Sequence, residues 1–393
     1  MAWKAIRSKG CIDCGFCSYL VDCPGRDEQC FGCGNCVRGC PTDARQLISR
    51  ETAKADVTLR VDGRTYTVPA QASVAEVLRL TGKSRDVAFE CSTGGCWACG
   101  ILADGKLLRG CCTEATEGLE VVTEGEALAK QEPRRVLSFF PGHFHADMSV
   151  FTHGCNYGCD FCHNWNLTFS SAERSLTPAE AAATTARLTE RAGNRRTGIS
   201  GGEPTLNRRW LVEYIGNLRA ASPQVQIQLD TNGSVLTPDY LDELCEAGIG
   251  DLSVDLKGLD LGTFQRITGV GDPLLAGRFL ETSWRAVEYA VGRYSGKLNV
   301  AAAIPYHPLL IEKDEVRRMG IRLAALGPNL DVNLMVYQPA FRRRFVEPVA
   351  EEDIAEAFEA LESTGVRAWC QEGDDIPPPV PPEECAPLSD ELF

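Results

Sequence analysis

Between residues 57 and 68 apolar and polar positions alternate: Val57, Leu59 and Val61, then Asp62-Gly63, then Tyr66 and Val68. Period-two alternation on either side of an Asp-Gly pair predicts a β-hairpin. Ser73 stands three residues before Glu76 at the start of Val74, Val77, Leu78 and Leu80, which predicts a capped helix stopping at Gly82. Residues 46–56 read as a polar connector and 124–145 as a charged linker. Beyond them the pattern repeats as short apolar run, then amphipathic stretch. Strands are expected near 147–152, 196–200, 225–230, 250–255, 298–304 and 331–336. Helices are expected at 178–192, 207–220, 237–247, 278–292, 313–326 and 351–363. Six strand-helix units suit an α/β fold, a parallel sheet rolled into a partial barrel with its chemistry at the strand C-terminal ends.

Composition adds cysteine chemistry to this picture. The chain has 393 residues, 44% hydrophobic and 24% charged, which is ordinary for globular domains. Its 54 acidic and 40 basic residues, net charge −14, argue against a mainly electrostatic nucleic-acid binder. No apolar run is long enough to cross a bilayer and the opening shows no secretion signal, so no membrane partner and a cytoplasmic location are expected. In that compartment 19 cysteines do not form a disulfide scaffold, and thiolate metal sites become the leading explanation. Eight lie between Cys11 and Cys40, five between Cys91 and Cys112, three between Cys155 and Cys162, and three are scattered later. Residues 1–45 have few apolar positions, so metal binding would supply their folding energy.

Cys11, Cys14 and Cys17 with Cys23-Pro24, then Cys30, Cys33 and Cys36 with Cys40-Pro41, resemble the bacterial ferredoxin with two 4Fe-4S clusters. That resemblance implies one cluster on Cys11, Cys14, Cys17 and Cys40 and another on Cys30, Cys33, Cys36 and Cys23. Only six residues separate Cys23 from Cys30, so the usual intervening helix is shortened or absent. Structural zinc sites are the alternative. Cys91, Cys96 and Cys99, with a fourth cysteine at 111 or 112, have the spacing of a plant-type 2Fe-2S centre. The hairpin and helix before them resemble a β-grasp ferredoxin. The ending through Cys111, Thr113 and Glu117-Gly118 is similar to the 2Fe-2S domains of hydrogenase and NADH dehydrogenase subunits. In that alignment Cys111 is the ligand and Cys112 a small buried hydrophobe, and a zinc knuckle is the alternative.

Phe151-Thr152-His153-Gly154 leads into Cys155, Cys159 and Cys162, and Ser200-Gly201-Gly202-Glu203-Pro204 closes the second expected barrel strand. Together these resemble the radical S-adenosylmethionine (SAM) superfamily. The resemblance implies a cubane on Cys155, Cys159 and Cys162 with one iron open to SAM, and contacts to SAM along Gly201, Gly202, Glu203 and Pro204. It also implies a 5′-deoxyadenosyl radical that abstracts hydrogen. Asp230-Thr231-Asn232-Gly233, Ser253 to Lys257, Cys162-His163-Asn164 and Arg266 to Gly269 resemble the glycyl-radical-enzyme activating branch. By that resemblance Asp230, Thr231 and Asp255 hold a monovalent cation against the SAM carboxylate, the alternative being turns and caps. Val336-Tyr337-Gln338-Pro339 stands where activating enzymes often carry a histidine. His143, His145 and His307 read as isolated, and Arg342-Arg343-Arg344 as a solvated face or a contact for an acidic substrate.

The expected organisation is a two-cluster ferredoxin module at 1–45, a 2Fe-2S domain at 56–123, a radical SAM barrel at 146–372 and a proline-rich tail at 373–393. The resemblances imply three 4Fe-4S clusters, one 2Fe-2S cluster and SAM. The expected function is an anaerobic oxidoreductase, in first place an activase that makes a glycyl radical on a partner protein and draws on a low-potential electron donor. A radical SAM enzyme acting on a small molecule or peptide is the second reading, and an iron-sulfur electron-transfer subunit the third. Cys112, Cys245, Cys370 and Cys385 are left without a cluster.

Overall fold

The computed structural model describes residues 3–23, 29–49, 55–83, 91–141, 148–193 and 195–371. The proline-rich tail, Cys385, His143 and His145 lie outside these. No described helix is long and apolar enough to cross a membrane.

Strand β1 (Trp3–Arg7) pairs antiparallel with β2 (Arg45–Ser49), enclosing the one-turn helices α1 (Phe16–Tyr19) and α2 (Asn35–Arg38). Residues 46–49 are therefore a strand rather than connector. Their side chains are mostly exposed, so burial leaves no alternation to read.

The second unit is a five-stranded sheet. The hairpin forms as expected from β3 (Val57–Val61) and β4 (Arg64–Val68), and Ser73 Oγ accepts from Glu76 N at the start of α3 (Val74–Leu80). Strands β5 (Gly100–Ala103), β6 (Lys106–Arg109) and β7 (Glu120–Val122) complete the order β4-β3-β7-β5-β6. Its core packs Leu59, Val61, Val77, Leu78, Ile101 and Val121 against Cys99 and Cys111.

After α4 (Glu126–Ala129) the expected linker is instead β8 (Arg135–Pro141), antiparallel to β9 (Met148–Thr152). Val136, Leu137 and Phe139 are buried there, a short apolar run obscured by its charged flanks. The chain then alternates: α5 (Trp165–Thr168), β10 (Ser175–Leu176), α6 (Pro178–Arg191), β11 (Arg196–Gly201), α7 (Arg208–Ala221), β12 (Gln226–Thr231), α8 (Pro238–Ala247) and β13 (Asp251–Asp255). It continues with α9 (Leu261–Thr268), α10 (Pro273–Tyr294), β14 (Asn299–Tyr306), α11 (Lys313–Ala324), β15 (Leu330–Val336), α12 (Glu351–Glu362) and β16 (Arg367–Gln371). The sheet order is β10-β8-β9-β11-β12-β13-β14-β15-β16, parallel from β9 to β16, and its two edge strands do not pair. The six expected strands thus form the centre of a nine-stranded open barrel.

Parallel strands covered on both faces normally read as unbroken apolar runs, yet these alternate. Ile227, Leu229, Leu252, Val254, Ala302, Ile304, Val332 and Leu334 turn outward onto a core with Trp210, Tyr214 and Leu218 of α7. The intervening Gln228, Asp230, Ser253, Asp255, Ala303 and Asn333 line a cavity inside the sheet. Alternation here marks a hollow, partly polar interior. Capping fixes where the outer helices begin: Thr177 and Glu180 form a reciprocal capping box at α6, and Asp272 accepts from Leu274 N and Leu275 N at α10.

Candidate radical site and its accessory cysteine sites

Strand β9 is buried along its whole length and ends at Thr152, and His153-Gly154 then deliver Cys155 to the mouth of the barrel. Cys155, Cys159 and Cys162 all line one cavity of about 310 Å³. Tyr157 N donates to Cys155 Sγ at 3.3 Å, and Asn232 Nδ2 reaches the same sulfur at 3.8 Å. Burial pushes all three thiols up to about 12, so they are neutral until a metal displaces their protons.

Gly201 and Gly202 line the cavity too. Gly201 has φ +104°, and a Cβ there would stand 2.6 Å from Thr152 N. Gly202 N donates to Thr152 O at 2.6 Å and Glu203 N to Gly154 O at 2.8 Å. Glycine is needed because this edge runs backbone-to-backbone against the end of β9, which also leaves it open toward a ligand. Glu203 and Pro204 turn away. The fully buried Glu203 carboxylate accepts from Thr205 N and Oγ1, Thr231 Oγ1 and Asn232 N at 2.6–2.9 Å. It ties the second and third strand ends together rather than lining the cavity.

Asp230, Thr231 and Asp255 do line it. Burial, with a smaller contribution from Asp255, pushes Asp230 up to about 6, against a 2.7 Å hydrogen bond from Gln228 Nε2. Asp255 is already paired: Lys257 Nζ lies 2.9 Å from its Oδ2 and 2.9 Å from Tyr337 Oη. Lys257 and Tyr337 are not among the site residues that the sequence implied; they meet across 80 residues, a range that no local motif spans. His163 Nε2 accepts from Gln338 N at 3.2 Å, and burial lowers it to about 4, so it is neutral. His307 is buried against Phe161, a structural position.

The accessory cysteines also gather. Cys96 Sγ lies 3.0 Å from Cys91 Sγ and Cys99 Sγ 3.4 Å from Cys111 Sγ. Two buried thiol pairs suit a centre whose two irons take two thiolates each. Cys112 is buried beside Cys111, 3.6 Å sulfur to sulfur, and accepts from Asn35 Nδ2 at 3.0 Å, a contact that sequence gave no sign of. In the N-terminal module Cys23 lies close to Cys33 and Cys36, and Cys36 is also close to Cys17 of the other implied set. Among the described residues no three His, Cys, Asp or Glu side chains converge as a single-ion chelate. The fit rests on pairing and placement instead.

Arginines lock the module to the barrel. Arg38 Nη2 donates to Cys155 O at 3.1 Å and Tyr157 O at 2.9 Å. Arg342 donates to Cys40 O, Val37 O and Arg38 O, and lies 2.8 Å from Asp43 and 3.6 Å from Asp160. Arg344 bonds Pro41 O, and Arg343 lies 3.4 Å from Asp160. The solvated-face reading of this run is thereby corrected: Arg342 and Arg344 hold carbonyls some 300 residues away in sequence, and Arg342 and Arg343 also face Asp160.

Residues 149–308 match the Radical SAM superfamily, 54–126 a 2Fe-2S iron-sulfur cluster binding domain and 26–46 a 4Fe-4S binding domain. The chain thus carries a radical SAM domain together with 2Fe-2S and 4Fe-4S ferredoxin domains. It is 33% identical over 121 residues to a probable GTP 3′,8-cyclase of Saccharolobus solfataricus, covering 31% of this chain and 37% of the relative. It is 36% identical over 138 residues to one of Thermococcus kodakarensis, covering 35% and 42%. Molybdenum cofactor biosynthesis protein 1 of Drosophila melanogaster is 33% identical over 145 residues, 37% of this chain and 25% of that protein. The chain thus spans about two fifths of the length of the archaeal relatives. Among solved structures, the FeFe-hydrogenase maturase HydG from Carboxydothermus hydrogenoformans superposes with TM-score 0.41 at 15% identity, covering 56% and 53% of the two chains. Coproporphyrinogen III oxidase HemN from Escherichia coli gives 0.36 at 18%, covering 47% and 43%.

Proposed function

We propose that this radical SAM enzyme uses its barrel cavity to abstract hydrogen from a glycyl residue of a partner protein. The observation that carries the radical chemistry is the convergence of Cys155, Cys159 and Cys162 with Gly201, Gly202, Asp230 and Asp255 on one cavity. When bound there, a cubane with SAM supplies the hydrogen-abstracting radical, and the chain orients it and excludes water. Lys257 neutralises Asp255, so an added monovalent cation falls to Asp230 and Thr231. A low-potential one-electron donor supplies the reducing equivalent. What supports a protein substrate is the likeness of the Asp230 to Gly233 and Ser253 to Lys257 segments to activating enzymes, together with the open edge between β10 and β16.

A second reading, a small-molecule substrate, is favoured by the names of the curated relatives, probable GTP 3′,8-cyclases. A triphosphate calls for several cations. Among the described residues lining the cavity Lys257 is the one ammonium or guanidinium, and Asp255 engages it. The deciding experiment is anaerobic: reduced protein and SAM are mixed with a candidate glycyl radical enzyme or with GTP. A glycyl radical signal in electron paramagnetic resonance (EPR), with deuterium passing from labelled protein glycine into 5′-deoxyadenosine, supports the first reading. Deuterium arriving only from the nucleotide establishes the second.

A further inference from the structure

No described side chain of the β3–β7 domain lines the cavity, yet its cysteine loop packs directly on the residue before Cys155. A Cβ on Gly154 would stand 2.7 Å from Cys96 N, 2.9 Å from Cys96 Cβ and 3.0 Å from Cys91 Cβ. A Cβ on Gly95 would stand 2.7 Å from His153 Cβ. At this joint the two glycines leave no room for a side chain of their own, so Gly154 packs directly against Cys96 and Cys91, and Gly95 against His153.

Arg135 spans the same joint. It is fully buried and donates to Pro204 O at 2.6 Å, Glu203 O at 2.5 Å and His153 O at 3.3 Å. Cys96 and Cys91 are among the groups its charge meets. A joint that only braces the fold is served by apolar packing, whereas a buried guanidinium is costly. Beside a thiolate-bound centre its positive charge favours the form that has gained an electron. On the far side of the same site, Asn35 holds Cys112 at 3.0 Å, next to Cys33 of the N-terminal module.

We propose that the 2Fe-2S site of Cys91, Cys96, Cys99 and Cys111 is the immediate electron donor to the site of Cys155, Cys159 and Cys162, across Gly154. The proposal rests on the radical SAM reading of the latter site. In the step one electron leaves the reduced 2Fe-2S centre, which is oxidised, and enters the Cys155 centre, which is reduced; no proton or bond moves. A low-potential one-electron donor, dithionite in the test, then restores the first centre. The competing route leads straight from the module, where Cys36 and Cys162 flank the shared cluster of Phe16, Phe169 and Phe341.

Two measurements on the full, anaerobically reconstituted chain test this. In dithionite-reduced protein, microwave power saturation of the 2Fe-2S EPR signal reports the paramagnet beside it. Relaxation is expected to be faster in the parent chain than in the triple variant Cys155→Ala, Cys159→Ala, Cys162→Ala, which empties the neighbouring site and leaves the N-terminal module beside Asn35 in place; saturation curves that coincide overturn the contact. Next, reduced protein freed of dithionite is mixed with SAM and frozen at intervals. The first equivalent of 5′-deoxyadenosine draws on the electron already on the Cys155 centre; the 2Fe-2S signal should then vanish with the rate constant at which the second equivalent appears. If a second equivalent forms while that signal persists, electrons bypass the site and the proposal fails alone. If no 5′-deoxyadenosine forms even with excess dithionite, the radical reading fails and takes the proposal with it.

Discussion

Arg38, on the one-turn helix between Cys36 and Cys40, donates through Nη2 to the carbonyl of Cys155 at 3.1 Å. One guanidinium thus joins the N-terminal cysteine module to the loop that carries the radical site. The same nitrogen also reaches Tyr157 O, and Arg342 in turn holds Arg38 O.

Removing this tie should loosen the loop. Hydrogen bonds from charged groups contribute about 1.5–3 kcal/mol, so Arg38→Ala is expected to cost about 3 kcal/mol in anaerobic urea unfolding. Amide exchange over 155–162 should accelerate. Arg38→Lys should recover less than half, because one ammonium cannot reproduce the planar fork. Unchanged exchange in the alanine variant would mean the module does not hold the loop.

The pair of Lys257 and Asp255 makes a second prediction. Lys257 is 5% exposed and serves both Asp255 and Tyr337 Oη. Lys257→Met leaves the partly exposed Asp255 carboxylate without its partner at the cavity wall, and losing one side of this half-buried pair should cost about 2 kcal/mol. Adding Asp255→Asn should restore most of that loss, whereas Tyr337→Phe alone should cost about 1 kcal/mol. Thermal unfolding of the three variants checks the order; a double variant no better than Lys257→Met would show that the ammonium acts through packing instead.

Glu203 yields a third. Its carboxylate takes four donors at once. Glu203→Gln turns one acceptor oxygen into a donor facing donors, at about 3 kcal/mol, and Glu203→Ala leaves all four unmet and should cost more. Both should weaken SAM binding indirectly, by releasing Thr231 and Asn232. Measured stabilities in the reverse order would sink the bracing role.

What could be read without coordinates followed the range of the interactions. Ligand cysteines three to five residues apart declare themselves, because their loop must close on one centre, and the Asp62-Gly63 hairpin and Thr177 cap are equally local. Strand β8 was hidden because Arg134 and Arg135 make it look like linker; the second is buried by carbonyls at 153, 203 and 204. Arg342 was misread for the same reason, since its partner Cys40 is 302 residues distant; Cys112 is buried as expected, but its contact with Asn35, 77 residues away, leaves no local trace. Glu203 belongs to a recognisable motif, but whether its side chain faces ligand or brace is decided by Thr231 on a neighbouring strand.

Asp230 supplies a prediction in which pH changes sign of effect with ligand. Burial first, then Asp255, raise its carboxyl from 3.8 to about 6. The folded chain therefore holds this proton more tightly than the unfolded one, and stability is lost as pH rises from about 4 to 6. Two units correspond to about 3 kcal/mol, reduced to about 1–2 kcal/mol by water screening at the cavity wall. Asp230→Asn should flatten that window in anaerobic unfolding of the SAM-free protein. Cationic SAM or a monovalent cation at Asp230 reverses the preference, because each needs the carboxylate charged. SAM affinity should then rise with pH, about tenfold per unit below pH 6 and level above it. Equilibrium dialysis between pH 5 and 8 reads this directly, and Asp230→Asn should bind more weakly at every pH with the slope gone. A parent chain whose affinity is flat across pH 6 would remove Asp230 from the cofactor's surroundings.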